Sequence, residues 1–156
     1  MKKILLTIAL ALSASTMAEA RIGYTLKECI AKYGRPIQKA QEGLATEYYF
    51  RVEGFHLSAT LFEGKTCIMR YVPDNPLTDL QAMEVLQRNS PTTWKNGVEK
   101  RDMRWFSTVN ADKHDLTATL DGEKEKVSQI LIVDDVCFDK LLDVEQTKQG
   151  ETIKGL

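Results

Sequence analysis

Leu26, Cys29, Ile30 and Tyr33 recur at the i, i+3, i+4, i+7 spacing of one helical face. They follow Thr25-Leu-Lys-Glu28, a capping box, and precede Gly34 and Pro36, which stop a helix. A short helix over 25–33 is predicted. After a polar loop the period changes to two. Thr46, Tyr48, Phe50 and Val52 alternate with Ala45, Glu47, Tyr49 and Arg51; beyond Gly54, Phe55, Leu57, Ala59 and Leu61 alternate with His56, Ser58, Thr60 and Phe62. Glu63-Gly64-Lys65 reads as a hairpin turn into a third strand over 66–72. Pro73 to Pro76 forms a linker, and a second capping box, Thr78-Asp-Leu-Gln81, opens a helix carrying Leu80, Ala82, Met83, Val85 and Leu86, stopped by Asn89 and Pro91. A loop holding Trp94 and Gly97 leads to strands at 102–109, 116–120 and 127–133, with Asp121-Gly122 as the last turn.

Leu57-Ser-Ala-Thr-Leu61 and Leu116-Thr-Ala-Thr-Leu120 agree at four of five positions, 59 residues apart, each followed by an acidic residue and Gly. With the same order of helix, stop and strands around them, they point to an internal repeat. The expected fold class is α+β: a tandem repeat of a helix plus an antiparallel meander of three to four strands, with the helices on one face of the sheet. The expected layout is a signal peptide over 1–20, helix–meander units over 21–74 and 75–134, a C-terminal helix over 135–148 and a disordered tail over 149–156.

In that arrangement Tyr48, Phe50, Leu57, Ala59, Leu61, Cys67, Met69 and Tyr71 face the helix, whose apolar stripe needs cover. The opposite side presents Tyr49, Arg51, His56 and Arg70 from the first unit and Arg104 and Phe106 from the second, interleaved with small hydroxyl residues. Tyr, Arg and Phe beside hydroxyls resemble a binding surface more than a solvated one, where Lys and Glu dominate. A loop or the C-terminal helix covering Phe62, Ile68 and Phe106 is the structural alternative.

The start of the chain places the protein in a compartment. Lys2 and Lys3, the apolar run Ile4 to Leu12, and Ala18-Glu-Ala20 have the three parts of a cleaved signal peptide, the run being half as long as a membrane span. The protein is therefore expected to be secreted or periplasmic, with no membrane span. Lys plus Arg is 21 against 22 for Asp plus Glu, a net charge of −1, so nucleic acid is not an expected partner. An oxidising compartment turns Cys29, Cys67 and Cys137 into a disulfide plus one thiol. Cys29 with Cys67 is the preferred pair, worth about 4 kcal/mol by loop closure; Cys67 with Cys137 is the alternative. Two His and three Cys leave few ligands for a transition metal, and no metal or other cofactor is expected.

Catalytic chemistry has a thin footing. No G-x-S-x-G motif is present, and nothing nearby orients His56 or His114 as a general base. Carboxylates give the alternative reading: Glu63 and Asp121 stand at matching turns, and Asp134-Asp135 ends an apolar strand, so either pair is a candidate for sharing a proton as aspartic peptidases do. The Asp-Thr/Ser-Gly signature is missing, and turn chemistry alone accounts for an acidic residue before Gly.

The segment Thr25-Leu-Lys-Glu-Cys-Ile-Ala-Lys-Tyr-Gly-Arg-Pro36 resembles the T-L-x-E-C-x-A-x-Y-G-x-P motif that opens a group of small secreted bacterial proteins of unassigned function, and the later pieces Phe62-Glu-Gly-Lys65 and the loop around Trp94 are similar to that group. The predicted architecture is also similar to the β-lactamase-inhibitor-protein and SmpA/OmlA-type lipoprotein fold. That resemblance implies protein binding by an exposed sheet or its edges; it carries over no functional residue, and the lipid-attachment Cys is absent. The expected function is a non-enzymatic module binding a protein or an extracellular glycan, with a carboxylate-dependent secreted hydrolase acting on protein as the alternative.

Overall fold

A computed structural model describes residues 22–89, 94–100, 103–109 and 115–154. The expected signal peptide and His114 lie outside the described residues. The elements run α1 (Leu26–Tyr33), β1 (Gln38–Glu42), β2 (Ala45–Val52), β3 (Phe55–Phe62), β4 (Lys65–Pro73), α2 (Asp79–Asn89), β5 (Lys95–Lys100), β6 (Met103–Val109), β7 (Asp115–Glu123), β8 (Lys126–Asp134) and α3 (Asp135–Lys154).

Each helix begins where a side chain satisfies the free backbone donors of its first turn. At α1, Thr25 Oγ accepts from the Glu28 amide at 3.4 Å and the Glu28 carboxylate accepts from the Thr25 amide at 2.8 Å. Thr78 and Gln81 repeat the reciprocal pair at α2. At α3 the Asp134 carboxylate accepts from the Cys137 amide at 3.0 Å. The third helix continues to Lys154, through the segment expected as a disordered tail from 149.

The strands form one antiparallel sheet of eight, in the order β1-β2-β3-β4-β8-β7-β6-β5. This overturns the expected tandem repeat of helix–meander units. The inner edges of the two meanders pair directly, Ile68 with Val133 through Tyr71 with Ile130, so neither unit keeps a free edge at the centre. Nor do the helices share one face. Cys29 and Tyr33 of α1 and Ala82 and Leu86 of α2 are buried with Phe50, Leu57, Met69, Leu120, Ile130 and Ile132 of the sheet. Leu141 of α3, flanked by Cys137, Phe138 and Val144, is buried on the opposite side with Ala45, Phe62 and Cys67. In β8, Val127, Ile130 and Ile132 are buried on the α1–α2 side, while Gln129, Leu131 and Val133 on the other side are only partly buried.

Three register shifts depart from strict alternation, one of them in β5 between Asn96 and Glu99. Leu61 pairs with Thr66 and Thr60 with Ile68, leaving Cys67 as an extra residue in β4. Asp121 pairs with Gln129 and Gly122 with Val127, so Asp121-Gly122 lies inside β7 and not in a turn. The β7–β8 reversal instead uses Lys124 and Glu125, the latter at φ 59°.

Candidate functional site

On the side of the sheet that carries α3, the helix covers only part of the surface. Directly opposed residues in a ladder share a face. Tyr49 opposes Ser58, Ser58 opposes Arg70, Arg70 opposes Leu131, Leu131 opposes Thr119, and Thr119 opposes Trp105. These six residues make one row across six strands, in which Arg70 and Trp105 are exposed, Tyr49, Leu131 and Thr119 half-buried and Ser58 buried. A neighbouring row runs Arg51, His56 and Val72 on one half and Met103, Asp121 and Gln129 on the other. Trp105 is 42% exposed, Met103 44% and Val72 36%, well above the usual exposure of such side chains in a covered sheet.

Between this open area and α3 lies a cleft of about 720 Å³. Leu44, Ile68, Phe138 and Leu142 give it apolar walls, and Glu47, Arg70 and Glu145 give it charged ones. Glu145 is fixed by accepting from the Leu44 amide at 3.3 Å, which also ties α3 to the β1–β2 turn. Glu47 accepts from the Tyr49 hydroxyl at 2.6 Å. That bond raises the Tyr49 pKa, because the phenol must stay protonated to donate. Tyr49 and Arg70 thus connect the cleft to the open rows, making one continuous surface.

Four of the six expected binding residues, Tyr49, Arg51, His56 and Arg70, lie together on this face. Arg51 is held in a two-bond pair with Asp74, at 2.7 and 2.8 Å, and His56 lies 3.8 Å from the same carboxylate. Arg104 and Phe106 do not belong to it. They oppose Leu120 and Ala118, residues of the α1–α2 side, so the whole of β6 is turned by one residue from the expected facing. Arg104 is only 13% exposed and pairs with Asp79 at the start of α2, at 2.6 Å; Phe106 packs on the core. The guanidinium holds the Asp79 carboxyl below its ordinary pKa. Trp105 occupies the place expected for Phe106. It was legible as an aromatic in a strand, but its facing depended on the register of β6.

The carboxylate pairs do not form. Glu63, in the β3–β4 turn, pairs with Lys140 of α3. Asp121 lies toward the other end of the sheet, opposite Gln129 and near the β7–β8 reversal. Asp134 is buried and caps α3, while Asp135 accepts from the Thr117 hydroxyl at 2.7 Å. Both acids of that pair therefore have structural partners. No group of three His, Cys, Asp or Glu among the described residues is placed to hold a metal.

The preferred disulfide is also corrected. All three cysteines are free thiols. Cys29 faces the α1 side and lies 3.6 Å from the Thr66 hydroxyl, whereas the β4 bulge turns Cys67 to the α3 side. The sheet itself separates them.

No family model and no curated protein matches this chain. Two solved structures are similar to it at low identity. One is a cysteine-rich secretory protein from Staphylococcus aureus, at 10% identity and a TM-score of 0.44, covering 73% of this chain and 44% of that one. The other is an extracellular protein containing a SCP domain from Bacillus anthracis, at 12% identity and a TM-score of 0.43, covering 86% of this chain and 50% of that one. The chain thus spans about half the length of each. No helix among the described residues is long and apolar enough to cross a membrane.

Proposed function

We propose that this protein is a non-enzymatic binding module, working in a secreted or periplasmic setting, that recognises a protein partner through the sheet face left open beside α3. The observation that carries the reading is the row Tyr49, Ser58, Arg70, Leu131, Thr119 and Trp105, flanked by exposed Val72 and Met103. An aromatic, an arginine and apolar side chains adjoining a part-charged cleft are the composition of a protein-recognition surface. Trp105 supplies a large apolar anchor and Arg70 a charged, donor-rich neighbour on the far side of Leu131.

The test is capture of native partners on the immobilised protein from the envelope or culture fraction, read by mass spectrometry, with Trp105→Ala and Arg70→Ala in parallel. A partner recovered by the parent and reduced at least tenfold with each variant, at a Tm within about 3 °C of the parent, supports the reading; that ratio corresponds to 1.4 kcal/mol of binding. Equal recovery by parent and variants overturns it. Binding to a carbohydrate array with no protein captured would replace the protein partner by a glycan stacking on Trp105.

A further inference from the structure

Cys67 and Cys137 are 70 positions apart in sequence and meet at the junction of β4 and α3. The bulge at Thr60/Leu61 turns Cys67 toward α3, where it is fully buried; Cys137 stands in the first turn of that helix, half-buried. Ile68, next to Cys67, pairs with Val133, four residues before Cys137, and Cys137 packs against the buried cluster that holds Cys67. A disulfide between them requires the two sulfurs to reach a separation of about 2.05 Å. Cys29 is excluded from this pairing because it lies on the other side of the sheet, against Thr66.

We propose that Cys67 and Cys137 form a redox-closable pair, in which thiol–disulfide exchange with a small-molecule or protein disulfide joins the two sulfurs and staples α3 to the centre of the sheet. The half-exposed Cys137 thiolate attacks the donor disulfide, giving a mixed disulfide and releasing one donor thiolate. The Cys67 thiolate then attacks Cys137 Sγ, forming the internal bond and expelling the second donor thiolate. The protein loses two electrons and two protons, and the donor is reduced to two thiols.

Burial holds both thiols above the ordinary cysteine range, and the Asp134 carboxylate opposes ionisation of each; at Cys137, Glu63 adds to this and Lys140 works against it. Exchange therefore accelerates as pH rises, since only the thiolate attacks. The bond fixes the helix that forms one wall of the cleft, so oxidation holds the cleft in shape and reduction releases that restraint. The pair is independent of which partner the open face recognises.

The purified protein is treated with oxidised glutathione and then quenched with an alkylating agent, and its peptides are mapped by mass spectrometry. The expected product has a Cys67–Cys137 cross-linked peptide, one alkylated thiol at Cys29, and a raised Tm that dithiothreitol restores to the reduced value. Cys29→Ser keeps the cross-link, and Cys137→Ser abolishes it. A peptide linking Cys29 to either other cysteine, glutathione retained on Cys137 without conversion, or alkylation of all three residues overturns the proposal. Because the decisive product is read on the parent protein, instability of a variant does not obscure it.

Discussion

At the scale of single residues, one position in a strand decides which chemistry reaches the surface. Arg104 and Phe106 were expected on the open face; Met103 and Trp105 are there instead. Composition names both pairs equally well, and alternation cannot choose between them where the strand Met103-Arg-Trp-Phe-Ser carries bulky residues on both sides. Cys67 shows the same limit, because an extra residue in the ladder reverses its facing without any mark in the local sequence. Gly122 is the counterpart that the sequence did mark, as glycine, while misplacing it in a turn. A Cβ there would stand 2.3 Å from the Lys126 carbonyl oxygen, at φ +122°, so Gly122→Ala must move backbone at the β7–β8 bulge. At Gly54, φ is +79° with nothing near the added atom. Gly54→Ala is expected to cost about 1 kcal/mol of backbone strain and Gly122→Ala about 3 kcal/mol or more, measured by urea unfolding. Equal losses at the two sites would mean the bulge yields to the new atom.

At the scale of elements, helices were more legible than strands because their ends are written in short-range chemistry. Thr25 with Glu28 and Thr78 with Gln81 bond as their spacing predicts. The strands β1 and β5 have the sequence of loops, since Gln38-Lys-Ala-Gln-Glu42 and Lys95-Asn-Gly-Val-Glu-Lys100 are polar edge segments whose pairing is supplied by neighbours. Removal of the α1 cap by Thr25→Ala is expected to destabilise the protein by about 1 kcal/mol at neutral pH. Bonds from the Thr25 amide and hydroxyl hold the Glu28 carboxyl below its ordinary value of 4.5. A depressed folded-state pKa contributes stability that is present above the unfolded value and is lost as pH falls through the folded one. The gap between parent and Thr25→Ala should therefore narrow in acid below pH 4.5, as followed by circular dichroism during thermal melts at stepped pH. A gap that widens in acid would show that the carboxylate is not part of the cap.

At the scale of the whole molecule, the decisive contact is the pairing of β4 with β8, which turns two meanders into one sheet. The alternating strands were legible, and so was the apolar run Val127 to Val133, but which edge it would meet was not, because edge pairing is set by partners distant in sequence. The seam has a thermodynamic consequence. Ile130 and Ile132 are fully buried, and the core they join contains α1 and α2 together with residues from both halves of the sheet. Neither half can unfold without exposing the other, so a single cooperative transition is expected. Ile132→Ala should lower stability by roughly 2–5 kcal/mol as a cavity at the seam. The loss should be the same by tryptophan fluorescence, which reports on Trp94 and Trp105 in the β5–β8 half, and by far-ultraviolet circular dichroism, which reports on the entire chain. Two separated transitions, with the fluorescence change confined to one of them, would mean that the halves are independently stable and that the β4–β8 seam is a docking contact between them.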